Sequence, residues 1–233
     1  MKTIGIIGGM GPLATVDLFG KIVKLTKAQT DQDHIPILID NNTRVPDRTA
    51  AILEGGEDPA PEIVRSALRL EAMGADALLM ACNTAHHFAD EIRRFARIPL
   101  LHLIEEAAKE AKARGLDCVG LLATDGTCRT GIYDRAFEAQ GVRLLKPPAE
   151  LETHVMDIIY KGVKAGAATY PLDGIYETIA ELKSRGAQSF VLGCTELPLA
   201  VEMYHVDAPV IDPTEVLARC AIRFAGKEIV DEA

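Results

Sequence analysis

Two short stretches carry residues able to do chemistry, Cys82-Asn83-Thr84-Ala85-His86 and Cys194-Thr195-Glu196. Each follows an apolar run of strand length, Ala77-Leu78-Leu79-Met80-Ala81 and Phe190-Val191-Leu192-Gly193, and each has a helix-capping threonine close behind its cysteine. A thiol in that place faces the N-terminal end of a helix, whose dipole and free N–H groups favour the thiolate. One such cysteine is unremarkable, because small buried cysteines are common in cores. Two in the same local setting read as a pair of matched acid–base groups.

The elements that must position these thiols alternate along the chain. Lys2–Gly8 reads as a buried strand and Pro12–Lys27 as a helix; Pro36–Asp40 is a second buried strand, followed by a polar loop through Arg44 and Arg48. A helix over Pro61–Met73, a strand over Asp76–Ala81, a helix over Thr84–Phe95, a strand over Pro99–Leu103 and a helix over Glu105–Arg114 complete a first half. The same order then restarts: strand Cys118–Ala123, helix Gly131–Gln140, strand Val142–Leu145, helices Leu151–Lys164 and Leu172–Arg185, strand Ser189–Gly193, helix Leu197–Met203, strand Pro209–Asp212 and helix Thr214–Phe224. Gly5 pairs with Gly120, Cys82 with Cys194, Pro99 with Pro209 and Glu105 with Glu215, at offsets of about 110 to 115 residues. The expected fold class is therefore α/β: two similar doubly wound parallel-sheet domains. Ligands of such sheets bind at the carboxyl ends of the strands, so the two thiols are expected on opposite sides of one cleft.

Bulk properties narrow the partners. The 233 residues are 48% hydrophobic and 25% charged, as in a globular protein with a sizeable core. Thirty-four acidic against 25 basic residues give a net charge of −9, which disfavours nucleic acid and anionic membranes. Neither a signal peptide nor a membrane span is legible, and five cysteines in no spaced framework fit reduced thiols, so a cytoplasmic location is expected.

Other motifs compete for a role. Gly9-Met10-Gly11-Pro12-Leu13-Ala14 fits a dinucleotide pattern with Asp40 as the ribose partner, although Pro12 removes an N–H that would cradle a pyrophosphate. Cys82 and His86 have a spacing that could ligate zinc, but no second pair of ligands accompanies them, and no metal site is expected. A thiol hydrolase built on Cys82 and His86 would leave Cys194 and the duplication unexplained. Cys118, Cys128 and Cys220 receive no role. Arg48 and Lys164 occupy near-equivalent places in the repeat and are suited to gripping carboxylates, with Arg44 a weaker candidate. Asn83, Thr84, Thr124, Thr127 and Thr195 lie at strand ends and loop starts, where capping is the commoner role.

Together, Gly5–Thr15, Pro46-Asp47-Arg48-Thr49, the first cysteine motif, Gly162-Val163-Lys164-Ala165-Gly166 and Gly193-Cys194-Thr195-Glu196 resemble the cofactor-independent aspartate racemases of the aspartate/glutamate/hydantoin racemase superfamily. Ala81 departs from the pattern, which often has proline there. The resemblance implies domains 1–98 plus 209–233 and 99–208, related by a pseudo-two-fold axis, with the strands at Pro99 and Pro209 crossing over. It implies a homodimer, no pyridoxal phosphate or other cofactor, and Cys82 and Cys194 as the two bases. Arg48 and Lys164 are then expected on the side-chain carboxylate, and Asn83, Thr84 and Thr195 at the α-carboxylate and amino group. Met10, Thr124 and Thr127 complete the expected substrate-binding set.

Racemisation removes the Cα proton from one face and delivers one to the other, which two opposed thiols do without either moving. The alternatives are glutamate or broad-specificity racemisation, maleate isomerisation or malonate decarboxylation on the same scaffold, a nucleotide-dependent oxidoreductase, and a non-catalytic dicarboxylate-binding protein.

Overall fold

The computed structural model describes residues 1–230, and they fall into two compact units, 1–106 with 214–230 and 107–213. In the first, β1 (Ile4–Gly8) leads to α1 (Pro12–Leu25), β2 (Ile37–Asn41), α2 (Arg48–Leu53), α3 (Ala60–Ala72) and β3 (Ala77–Met80). A 3₁₀ turn over Thr84–Phe88 and α4 (Ala89–Phe95) follow, and α5 (Leu103–Ala113) carries the chain into the second unit. The sheet is parallel in the order β2-β1-β3, with a single further bridge from Leu78 to Leu100. Every residue of β1 and β3 is buried, as expected of strands covered by helices on both faces. Each fully buried Ile or Leu there contributes on the order of 1.5–3 kcal/mol.

The second unit contains β4 (Cys118–Ala123), α6 (Asp125–Thr130), α7 (Ile132–Ala139), β5 (Arg143–Leu145) and α8 (Ala149–Asp157). After α8 come a π-helical turn over Ile158–Val163, α9 (Asp173–Ser184), β6 (Ser189–Gly193), α10 (Glu196–Tyr204) and β7 (Val210–Ile211). Its parallel order, β5-β4-β6-β7, repeats that of the first unit when the Leu100 bridge is counted as the fourth position. Gly5 and Gly120 show why the repeat keeps a glycine in its opening strand. A Cβ would lie 3.1 Å from Leu70 at the first and 3.0 Å from Leu182 at the second, so the glycines let α3 and α9, the helices that precede β3 and β6, settle close on their sheets. Last comes α11 (Pro213–Phe224), which returns to the first unit, where Lys2 sits 4.0 Å over the Phe224 ring.

Several expectations need correction. Pro36–Asp40 is not a buried strand: β2 is at a sheet edge, and Ile39 is 42% exposed. Pro99–Leu103 shrinks to one bridge before α5 begins at Leu103. The strands near Pro99 and Pro209 do not cross over, because Leu100 bridges to Leu78 and Val210–Ile211 pair with β6. The boundaries of the two compact units fall at 106/107 and 213/214. Among the described residues no helix is long and apolar enough to cross a membrane.

Candidate functional site

In the first unit the expected residues gather beyond the carboxyl ends of β1 and β3. Cys82 follows β3 by two residues and is buried with Met10, Val45, Met80 and Ala85 in one apolar cluster. Ala81 donates its N–H to Ile7 O at 3.3 Å, which extends the β1–β3 ladder past Met80. A proline there would lack this donor, so alanine ties down the backbone just before Cys82.

Arg48, the first residue of α2, points its guanidinium back into the loop: Nη1 donates to Pro46 O at 3.0 Å and Nη2 to Met10 O at 3.2 Å. Its Nε is buried with no hydrogen-bond partner among the described residues. A buried donor left without a partner costs about 1–3 kcal/mol, so this nitrogen is a natural recipient for an anion. Arg44 is exposed, and its backbone N–H donates to the Asn42 carboxamide oxygen at 3.2 Å.

The segment after Cys82 is not the single helix expected over Thr84–Phe95 but a 3₁₀ turn followed by α4. His86 is the cause. Its Nδ1 lies 2.7 Å from Cys82 O, and its Nε2 accepts the Leu103 N–H at 3.2 Å. The ring is therefore neutral with its proton on Nδ1, and both nitrogens are engaged. That arrangement leaves no free nitrogen for zinc or for general-base work on Cys82. Burial, then the neighbouring His102, holds the imidazole well below the usual histidine range.

Acid sensitivity follows from this ring. The unfolded chain binds a proton near pH ~6.5 that the folded chain refuses, so stability falls by up to about 1.4 kcal/mol for each pH unit below that value. His86→Gln keeps a donor and an acceptor but removes the titration. Urea midpoints at pH 7.5 and pH 5 should separate in the parent and draw together in the variant.

The glycine loop also reads differently in the structure. Gly9 spends its N–H on Thr15 Oγ1 at 2.9 Å, and Asp40 pairs with Arg69 at 3.3 Å. Neither is left to cradle a pyrophosphate or a ribose in the manner of a dinucleotide site.

The second unit assembles its own group. Thr124 caps α6, with its hydroxyl accepting the Thr127 N–H at 3.4 Å and lying 3.2 Å from Thr127 Oγ1. Cys194 and Thr195 sit between β6 and α10, both buried. Glu196, unassigned from sequence, has Oε2 3.0 Å from Cys194 Sγ and 3.2 Å from Thr195 Oγ1. Its position two residues beyond the thiol was the available signal.

Lys164 follows the π-helical turn, a local widening that recurs at functional sites. Its Nζ is 3.7 Å from Glu196 Oε1 and 4.6 Å from the centre of the Tyr160 ring. The lysine expected on the substrate carboxylate thus already faces a carboxylate of its own unit. The expectation of a helix-favoured thiolate also needs correction at Cys194. Burial first, then the Glu196 charge, pushes this thiol well above the usual range, while Lys164 works in the other direction.

Each unit is thus an open parallel sheet with a cysteine just past the carboxyl end of an inner strand, the frame of a thiol-bearing α/β protein. The model of the Asp/Glu/hydantoin racemase family matches residues 7–221, and the chain belongs to that family. It is 26% identical over 223 residues to the broad specificity amino-acid racemase RacX of Bacillus subtilis, covering 94% of this chain and 96% of that one. An aspartate racemase of Picrophilus torridus superposes with a TM-score of 0.84 at 32% identity, over 99% of this chain and 96% of that chain. A glutamate racemase of Corynebacterium kroppenstedtii is 31% identical over 62% of this chain but only 51% of its own length.

Proposed function

We propose that this racemase interconverts L- and D-aspartate without a cofactor, by proton transfer at Cα between two cysteines. The observation that carries the proposal is the pair of buried thiols, Cys82 and Cys194, each just past an inner parallel strand of its unit. In the substrate complex one enters as thiolate and takes the Cα proton, while the other delivers a proton from the opposite face; their roles are exchanged after each turnover. Arg48, with its unpartnered buried Nε, grips the side-chain carboxylate, and Lys164 supplies a second cation. Asn83, Thr84 and Thr195 line the α-carboxylate and amino group, where donors stabilise the charge that develops on the carbanion. Met10, Thr124 and Thr127 shape the rest of the site.

A broad-specificity racemase is the second reading, supported by the full-length similarity to RacX. One methylene discriminates by only ~1–3 kcal/mol, so aspartate and glutamate are separated by measurement. Chiral chromatography of single-substrate incubations with aspartate, glutamate and a neutral amino acid distinguishes the two. The aspartate reading expects the largest kcat/KM for aspartate; equal values across the panel would replace it with the second reading.

We also propose a cytoplasmic homodimer. Leu13, Val16, Phe19 and Val23 form an outward stripe along α1, each 37–65% exposed, the kind of patch a second copy covers. Light scattering should give twice the 25.1 kDa chain mass, falling to one chain in Val16→Glu. A single-chain mass for the parent would remove the dimer.

A further inference from the structure

Beyond the thiol the two segments carry Asn83 and Thr84 in one half and Thr195 and Glu196 in the other, so only the second places a carboxylate two residues on. Glu196 Oε2 accepts the Cys194 S–H at 3.0 Å and the Thr195 hydroxyl at 3.2 Å, while Oε1 faces Lys164 Nζ at 3.7 Å. Three contacts therefore pin the carboxylate against one side of the sulfur. Cys82 and Cys194 are both buried, at 6% and 8% exposure, and the carboxylate hydrogen-bonded to the sulfur is the contact that marks Cys194.

We propose that Glu196 makes the two thiols unequal: it holds Cys194 as the S–H acid in the resting protein and leaves Cys82 as the group that takes a Cα proton first. The proposal rests on the two-cysteine reading above and deepens it. A carboxylate accepts a hydrogen bond from S–H, whereas against a thiolate at the same distance it offers only a second negative charge. The S–H form is favoured accordingly.

Turnover of the opposite enantiomer needs Cys194 as thiolate and Cys82 as thiol, so Cys194 gives its S–H proton along the existing hydrogen bond to Glu196 Oε2 while Cys82 takes one from solvent. The Cys194 thiolate then takes the Cα proton as Cys82 delivers its own to the other face, and Glu196 returns its proton to solvent, which restores the resting state. Lys164 Nζ faces the other carboxylate oxygen at 3.7 Å. The ionisable groups that bear on the sulfur are Glu196 from α10, Lys164 beyond the π-helical turn and Tyr133 from α7. Glu196 is a positioning residue acting through Cys194.

Alkylation tests this without turnover, because the thiolate is the form that reacts. The substrate-free protein is treated with iodoacetamide from pH 6 to pH 10, and peptide mass spectrometry follows each cysteine. Cys82 should label at least ~10-fold faster than Cys194 at neutral pH. Glu196→Gln should move the rate–pH curve of Cys194 down by about one unit and leave that of Cys82 in place.

Equal labelling in the parent, or an unmoved Cys194 curve in a folded variant, would overturn the proposal. If circular dichroism shows the variant unfolded, the parent curves decide, and a Cys194 midpoint at or below that of Cys82 overturns it. A protein that racemises aspartate yet labels both cysteines alike defeats this inference and leaves the racemase reading standing. Ordered labelling with no racemisation of any amino acid supports the Glu196–Cys194 arrangement and defeats the racemase reading.

Discussion

Cys82→Ala and Cys194→Ala should each lower aspartate racemisation by ~10²–10⁴-fold, the usual contribution of a positioned proton-transfer group. The two variants should fail in complementary ways. Each keeps one thiol and can still exchange the Cα proton of the enantiomer that presents it to that thiol. In deuterated water, one variant should therefore incorporate deuterium into L-aspartate and the other into D-aspartate, with almost no inversion in either. The sulfurs are buried in separate apolar clusters, so each substitution removes a small, well-packed group and circular dichroism should change little. Retained inversion in either variant would require a base other than the missing thiol.

Arg48 is expected to give the second large effect. Its guanidinium binds the carbonyls of Met10 and Pro46 with its terminal nitrogens, and among the described residues Nε has no hydrogen-bond partner. Arg48→Lys preserves the charge but loses the planar fork that reaches these carbonyls and a carboxylate together. Removing one partner of a buried charge pair costs about 2–5 kcal/mol, so kcat/KM for aspartate should fall by roughly 30- to 5,000-fold, mainly through KM. The same variant should act on alanine, which has no side-chain carboxylate, much as the parent does. An equal loss on both substrates would reduce Arg48 to a loop anchor, a role its carbonyl contacts would also support.

The apolar strands were the most legible part of the chain. β1, β4 and β6 are buried along their whole length, so nothing interrupts their hydrophobic runs, and both cysteines lie just past such runs. β2 carries a similar run but lies at an edge, and no feature of Pro36–Asp40 itself declares which neighbour it lacks. The 3₁₀ turn after Cys82 depends on His86 reaching Leu103, seventeen positions on, a long-range contact that local propensity does not contain.

The π-helical turn was read as plain helix for a related reason. Lys164 N–H bonds back to Ile159 O, and Gly162 lies where a Cβ would come 3.2 Å from the Tyr204 hydroxyl on α10. Thr124 caps α6 and Thr127 lies within it, and Gly131 closes that helix after six residues, a run too short to declare itself through periodicity. Glu196 stood in plain view inside the second cysteine motif. Its meaning depended on the side chain folding back to the sulfur and meeting Lys164, which only the tertiary structure displays.

The central claim is inversion at Cα by two thiols with no added cofactor. Its most direct test incubates the purified protein, free of added cofactor, with L-aspartate in deuterated water and follows chirality and isotope together. The two-cysteine account predicts D-aspartate carrying deuterium at Cα from the earliest time points, while recovered L-aspartate gains label more slowly. D-aspartate that retains its original hydrogen would contradict two separate proton-transfer groups. Absence of both D-aspartate and deuterium, with glutamate as well as aspartate, would contradict the racemase assignment and leave a dicarboxylate-binding protein.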